Sequence, residues 1–161
     1  MKKSDTVLRL LLDGLDEAFE TKSWHGANLR GSIRGLTPAE AAWRPAPSRH
    51  NIWEIAVHTA YWKYAVRRLI TGAKRGSFPL QGSNWFVRDG ADPALWRRDL
   101  QLLTNEHRQL REAAAALPPD SLQLIARNRA YTFATLIRGV AAHDLYHAGQ
   151  IQLLKRLRAS R

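Results

Sequence analysis

Apolar residues recur at three- and four-residue steps in four separate stretches of the chain, which is the period of an amphipathic helix. In the first stretch, from about Ser4 to Lys22, Val7, Leu8, Leu11, Leu12, Leu15 and Phe19 fall on one stripe. The second places Ile52, Ile55, His58, Trp62, Ala65 and Leu69 together. Asn51 can cap its start and Gly72 can end it. Pro93 suits the first turn of a third helix, where its missing N–H would have no partner anyway. That helix carries Trp96, Leu100, Leu103, His107, Leu110, Ala114 and Leu117 before "PPD" stops it. Thr132 is a suitable N-cap for the fourth, whose inward face runs Leu136, Val140, His143, His147, Ile151, Leu154. No strand pattern competes with these four, and the chain has no internal repeat.

Four long helices with matching apolar faces predict an all-α fold, a four-helix bundle, as one domain over residues 1–161. Residues 23–50 and 73–92 are too long for tight turns, so they are expected to run as long crossover connections or to cover one end. With 161 residues, 45% of them hydrophobic, the chain can bury one substantial core. It has no cysteine, which excludes disulfides, thiolate metal sites and a cysteine nucleophile, and suits a cytoplasmic location. The opening "MKKSDTVLRLLLDGLDEAF" has two lysines like a signal peptide, but Arg9 and Asp13 interrupt a short apolar run. Nothing approaches the ~20 apolar residues of a membrane span.

A net charge of +11 raises the question of an anionic partner. The basic residues are spread along the chain, densest in the terminal "KRLRASR", and no stretch interleaves them with exposed aromatics. A solvated basic surface therefore fits better than nucleic-acid binding. Six tryptophans are mostly accounted for by packing, with Trp85 set apart as either a lid over a cavity or a loop anchor.

The fourth helix adds chemistry. Residues four apart on a helix differ by only about 40° around its axis, so His143 and His147 project the same way and can grip one ion. His58 lies on the inward stripe of the second helix and is the third ligand candidate. Three neutral imidazoles suit Zn, Ni or Fe and leave positions open for water or substrate. The competing reading is of core histidines hydrogen-bonded to ordinary neighbours, at ~1–3 kcal/mol for each ring nitrogen left unsatisfied. Gln150, three residues after His147, can orient a ligand or a bound water, and His107 can approach as a fourth ligand or general base or sit in the core as a satisfied histidine. Asp144 points about 100° away from His143, which favours a salt bridge or packing role. His25 and His50 fall in loops that can reach the open end of the helices.

The segments "IWEIAVHTAYW" and "HDLYHAGQI", the loop ending in "GSNW", and the approach "WHGANLRGSIRGLTPAEAAWRPAPSRHNIWE" resemble the DinB-like superfamily of four-helix-bundle metalloproteins. The resemblance covers nearly the whole chain. It implies a divalent metal ion held by His58, His143 and His147 with an open position, and often a homodimer. Some relatives transfer low-molecular-weight thiols or isomerise substrates with a thiol cofactor, and others have been described as metal-dependent hydrolases. A thiol-dependent S-transferase or a hydrolase acting on a small-molecule substrate is thus expected, the transferase needing an external thiol. The alternative is a basic, non-enzymatic bundle with structural histidines that binds nucleic acid or a protein partner, or one that holds metal without turnover.

Overall fold

The computed structural model describes residues 3–127 and 130–160. Its elements are helical: α1 (Lys3–Phe19), α2 (Leu29–Ile33), α3 (Pro38–Ala42), α4 (Ile52–Thr71), α5 (Pro93–Ala115), a 3-10 turn over Pro119–Gln123, and α6 (Phe133–Ala159). Among the described residues the one β-type pairing is an isolated bridge between Ile125 and Thr132, so the fold is all-α. No described helix is long and apolar enough to cross a membrane.

The helix ends follow from capping. Asn51 accepts from the Glu54 N–H, and Gly72 closes α4 in the left-handed conformation at φ 71°, where a Cβ would be strained. Asp92 and Pro93 begin α5, and Thr132 accepts from the Thr135 N–H at the start of α6. α1 stops at Phe19, three residues before the apolar period suggests, as the chain turns toward α2.

α4 packs against α5 and α6, while α1 packs against α6 and α5. The central position of α4 shows in its burial, which extends round most of its circumference and includes Trp53, Ile55, Ala56, Val57, Ala60 and Tyr64. Each large apolar side chain buried in this way contributes roughly 1.5–3 kcal/mol relative to exposure. One core cluster joins Phe19 and the lower turns of α4 to α2, Trp96 and Ile151; a second joins Leu15, Val66, Leu110, Ile137 and Val140.

The two long connections do different things. Within 23–50, α2 packs on α6 and α3 on α4. Within 73–92 the chain folds back onto α4: Phe78 and Phe86 close an aromatic cluster with Tyr61 and Tyr64. Asn51, fully buried, ties both connections to the start of α4 by donating from Nδ2 to the carbonyls of Ala42 and Arg88 at 3.2 and 2.6 Å. Two expectations change, one from the apolar stripe of the second helix and one from accounting for most tryptophans by packing. Trp62 is 39% exposed, and Trp24 is 93% exposed, so neither is packed into the core.

Candidate metal centre

α4 brings His58 against the middle of α6, where His143 and His147 project from successive turns. The Nε2 atom of His143 lies 3.0 Å from Nε2 of His58 and 3.1 Å from Nε2 of His147. One ligand atom from each of the three lies within 4.8 Å of the others, and the 3.0 and 3.1 Å separations are ones that two metal–nitrogen bonds of ~2 Å can span. His58 and His147 are buried, and His143 is partly so.

The hydrogen bonds on the far sides of the rings decide what these nitrogens can do. The Nδ1 of His58 is 2.8 Å from the carbonyl of Asn84. A carbonyl only accepts, so Nδ1 carries the proton and Nε2 of the neutral ring is a bare lone pair. The Nδ1 of His147 is 2.7 Å from Oε1 of Gln150, whose amide donates in turn to the Tyr146 hydroxyl at 3.0 Å. This again leaves Nε2 bare. Two lone pairs therefore converge on the third imidazole, and His143 Nδ1 has no hydrogen-bond partner of its own.

Burial keeps all three rings uncharged: it pulls His58 down to about 4, His143 to about 3 with help from the neighbouring imidazoles, and His147 in the same direction. Neutral imidazoles are the form that ligates a metal, and in His58 and His147 the acceptor on Nδ1 fixes the tautomer that offers Nε2. The residues present therefore fit a divalent metal ion.

Asn84 is held for this purpose in an unusual backbone conformation. Its φ is 68°, a region in which asparagine is the most tolerated residue after glycine. Its side-chain oxygen accepts from the Trp62 indole N–H at 2.9 Å. The next residue, Trp85, stacks on His58 with ring centroids 3.8 Å apart and 8° between planes, and its opposite face stacks on His50 at 3.6 Å and 4°. Trp85 is thus clamped between two imidazoles.

The three histidines open on a cleft of about 780 Å³. Its walls are largely apolar, from Ile55, Trp62, Trp85, Leu153, Leu154 and Leu157, and its polar lining includes Arg49, His50, Tyr146 and Gln150. No carboxylate is among the described lining residues. A smaller apolar groove of about 340 Å³ reaches His143 from the other side of Trp62.

The other sequence candidates separate cleanly. Gln150 is at the site, on His147. His107 is placed elsewhere: it stacks on Phe19 at 3.9 Å, lies 3.4 Å from Lys63 Nζ, and does not line the cleft. His25 is next to Trp24 and also off the cleft. His50 does line it. Asp144 makes the salt bridge its direction implied, with Lys63, and both side chains are fully buried. Lys63, Asn84 and the Glu54 partner of His50 are absent from the residues that periodicity singles out. Lys63 had a readable signal, since α4 is apolar nearly all round and a helix of that kind is buried all round.

The sequence model described as the DinB superfamily matches residues 23–151. No curated protein and no solved structure matches the chain.

Proposed function

The chain belongs to the DinB superfamily, and on that premise we propose that it is a metal-dependent enzyme for small molecules, with an external low-molecular-weight thiol as co-substrate. His58, His143 and His147 hold the ion. One observation carries this reading: three uncharged imidazoles converge, with Nε2 of His143 3.0 Å from that of His58 and 3.1 Å from that of His147, at the wall of a cleft with room for a ligand. When bound, a divalent ion there supplies Lewis acidity and stabilises a thiolate or hydroxide near neutral pH.

The chain's own residues do the rest. Asn84 and Gln150 fix the ligand rings from behind, so that the site is formed before a metal arrives. Trp85, Ile55 and the leucines of α6 shield the reacting atoms from water and offer an apolar surface to the electrophile. Arg49 at the cleft is suited to an anionic group on thiol or substrate. The sequence contains no cysteine, so the sulfur has to come from outside.

Hydrolysis is the second reading, favoured by His50, which lines the cleft and contacts the Glu54 carboxylate at 2.9 Å. The two are separated by supplying zinc-, nickel- or iron-loaded protein with 2-mercaptoethanol and 1-chloro-2,4-dinitrobenzene, or with p-nitrophenyl acetate alone. In the first reaction a C–S bond forms, chloride leaves and a proton is released. The proposal expects metal-dependent thioether formation that His143→Ala abolishes. Metal-independent product, or steeply salt-dependent nucleic-acid binding with no metal uptake, contradicts it.

A further inference from the structure

Of the polar groups lining the cleft outside the three ligands, Arg49 has no lone pair to offer, the amides of Asn84 and Gln150 are not basic and their oxygens already accept from Trp62 and His147, and the Tyr146 hydroxyl already accepts from Gln150. His50 is different. Its Nδ1 lies 2.9 Å from Oε2 of Glu54. Glu54 is itself fixed on three sides: Arg44 donates to both of its oxygens at 2.6 and 2.8 Å, and the Arg88 N–H donates to Oε1 at 3.2 Å. Burial alone would raise the Glu54 carboxyl, but these donors hold it down at about 2. An ionised carboxylate accepts only, so in the neutral ring the His50 proton sits on Nδ1 and Nε2 offers its lone pair, while the ring remains 47% exposed.

Trp85 sets the position. Its indole lies flat between His50 and His58, 3.6 Å from one ring and 3.8 Å from the other. The imidazole is thereby held nearly parallel to a metal-ligand ring on the other side of the indole, two stacking distances of 3.6 and 3.8 Å away. This is an orienting carboxylate, a base and a reaction cavity in sequence, the arrangement by which positioned imidazoles accept protons in other enzymes.

We propose that His50 is the proton acceptor of the cleft. A thiol or water seated against the three imidazoles loses its S–H or O–H proton to His50 Nε2, the electron pair stays on sulfur or oxygen, and the imidazolium is paired with Glu54. The proposal rests on the metal-dependent reading above, deepens it by assigning the base, and makes Glu54, Arg44 and Trp85 positioning residues.

The test uses zinc-loaded protein titrated calorimetrically with 2-mercaptoethanol near pH 7 in buffers of different ionisation enthalpy, which counts protons released to solvent. Wild-type protein is expected to bind the thiol with almost no release, because the proton stays on His50. His50→Gln, a change at a half-exposed side chain, is expected to keep its zinc and to release about one proton per thiol bound as thiolate. Equal proton release by both proteins overturns the assignment and leaves the metal and thiol reading intact. If the zinc-loaded protein binds no thiol, the thiol reading fails instead. His50 is then decided by ¹⁵N spectra of the histidines: Nδ1–H with bare Nε2, lost in Glu54→Gln, supports the base, and Nε2–H in wild type overturns it.

Discussion

Two groups of buried polar side chains occupy different faces of the same helices. Lys63 on α4 and Asp144 on α6 are fully buried and pair with each other, with His107 of α5 at 3.4 Å from the ammonium. His58 on α4 and His143 and His147 on α6 lie one to five residues away in sequence, but they carry no opposite charge and turn lone pairs toward one another. The first group supplies its own counter-charge. The second has no counter-charge within it, and it is the one that opens on a cleft. Burial of polar groups is thus informative only once the charges are counted: a set that supplies its own counter-charge, even with Asp144 Oδ1 and His107 Nε2 left without a hydrogen-bond partner, is architecture, and a set of uncharged acceptors converging at a cleft is a binding site.

The contrast breaks most visibly at Lys63. Lys63→Met leaves the Asp144 carboxylate alone in the core and is expected to cost about 3–5 kcal/mol in chemical denaturation, whereas Lys63→Met with Asp144→Leu recovers most of that loss. A small effect of the single change would mean that the pair is not closed. Next in size, His143→Ala is expected to weaken zinc binding by more than about 100-fold in competition with a chelator, a loss greater than that of an outer-shell partner. The same substitution should leave the stability of the metal-free protein within about 1 kcal/mol, since it removes a partly exposed, uncharged imidazole whose Nδ1 has no partner.

Acid probes the first group by another route. Burial, with the Lys63 and Arg111 charges, pulls His107 down to about 3 from an ordinary 6.5. Its contribution to stability is therefore complete above pH 6.5 and is lost as the pH falls toward 3, because the unfolded chain takes up a proton that the folded one refuses. His107→Leu should flatten the fall in stability of the metal-free protein by about 1.4 kcal/mol per pH unit across that window. An unchanged slope would show His107 to be in contact with water. The smallest effect is expected at Gln150→Ala, about a 10-fold loss of zinc affinity with no change in stoichiometry.

The sequence announces the parts of this molecule that depend on near neighbours. Asn51, Pro93 and Thr132 begin helices where their side chains allow, Gly72 ends one, and the four-residue step of His143 and His147 places both rings on one site. His58 is legible because it shares an inward stripe with Ile55. What escapes is set by long-range packing. The short helices α2 and α3 hold five residues each, too few for a period to show. Asn84 reaches His58 only because the 73–92 connection folds back, and Glu54 reads as an ordinary first-turn acid until Arg44 and Arg88 close on it. A stripe-based reading also assigns Lys63 to solvent, although the lack of a polar face on α4 already argues for burial all round.

The central claim is that three imidazoles from α4 and α6 form one ion site. It is tested most directly by elemental analysis of protein purified without a histidine tag and supplied with zinc, nickel or iron. The account predicts about one ion per chain, retained in His50→Gln and His107→Leu and lost in each of His58→Ala, His143→Ala and His147→Ala while helicity is unchanged. A chain that takes up no ion, or one whose ion survives all three ligand substitutions, contradicts it.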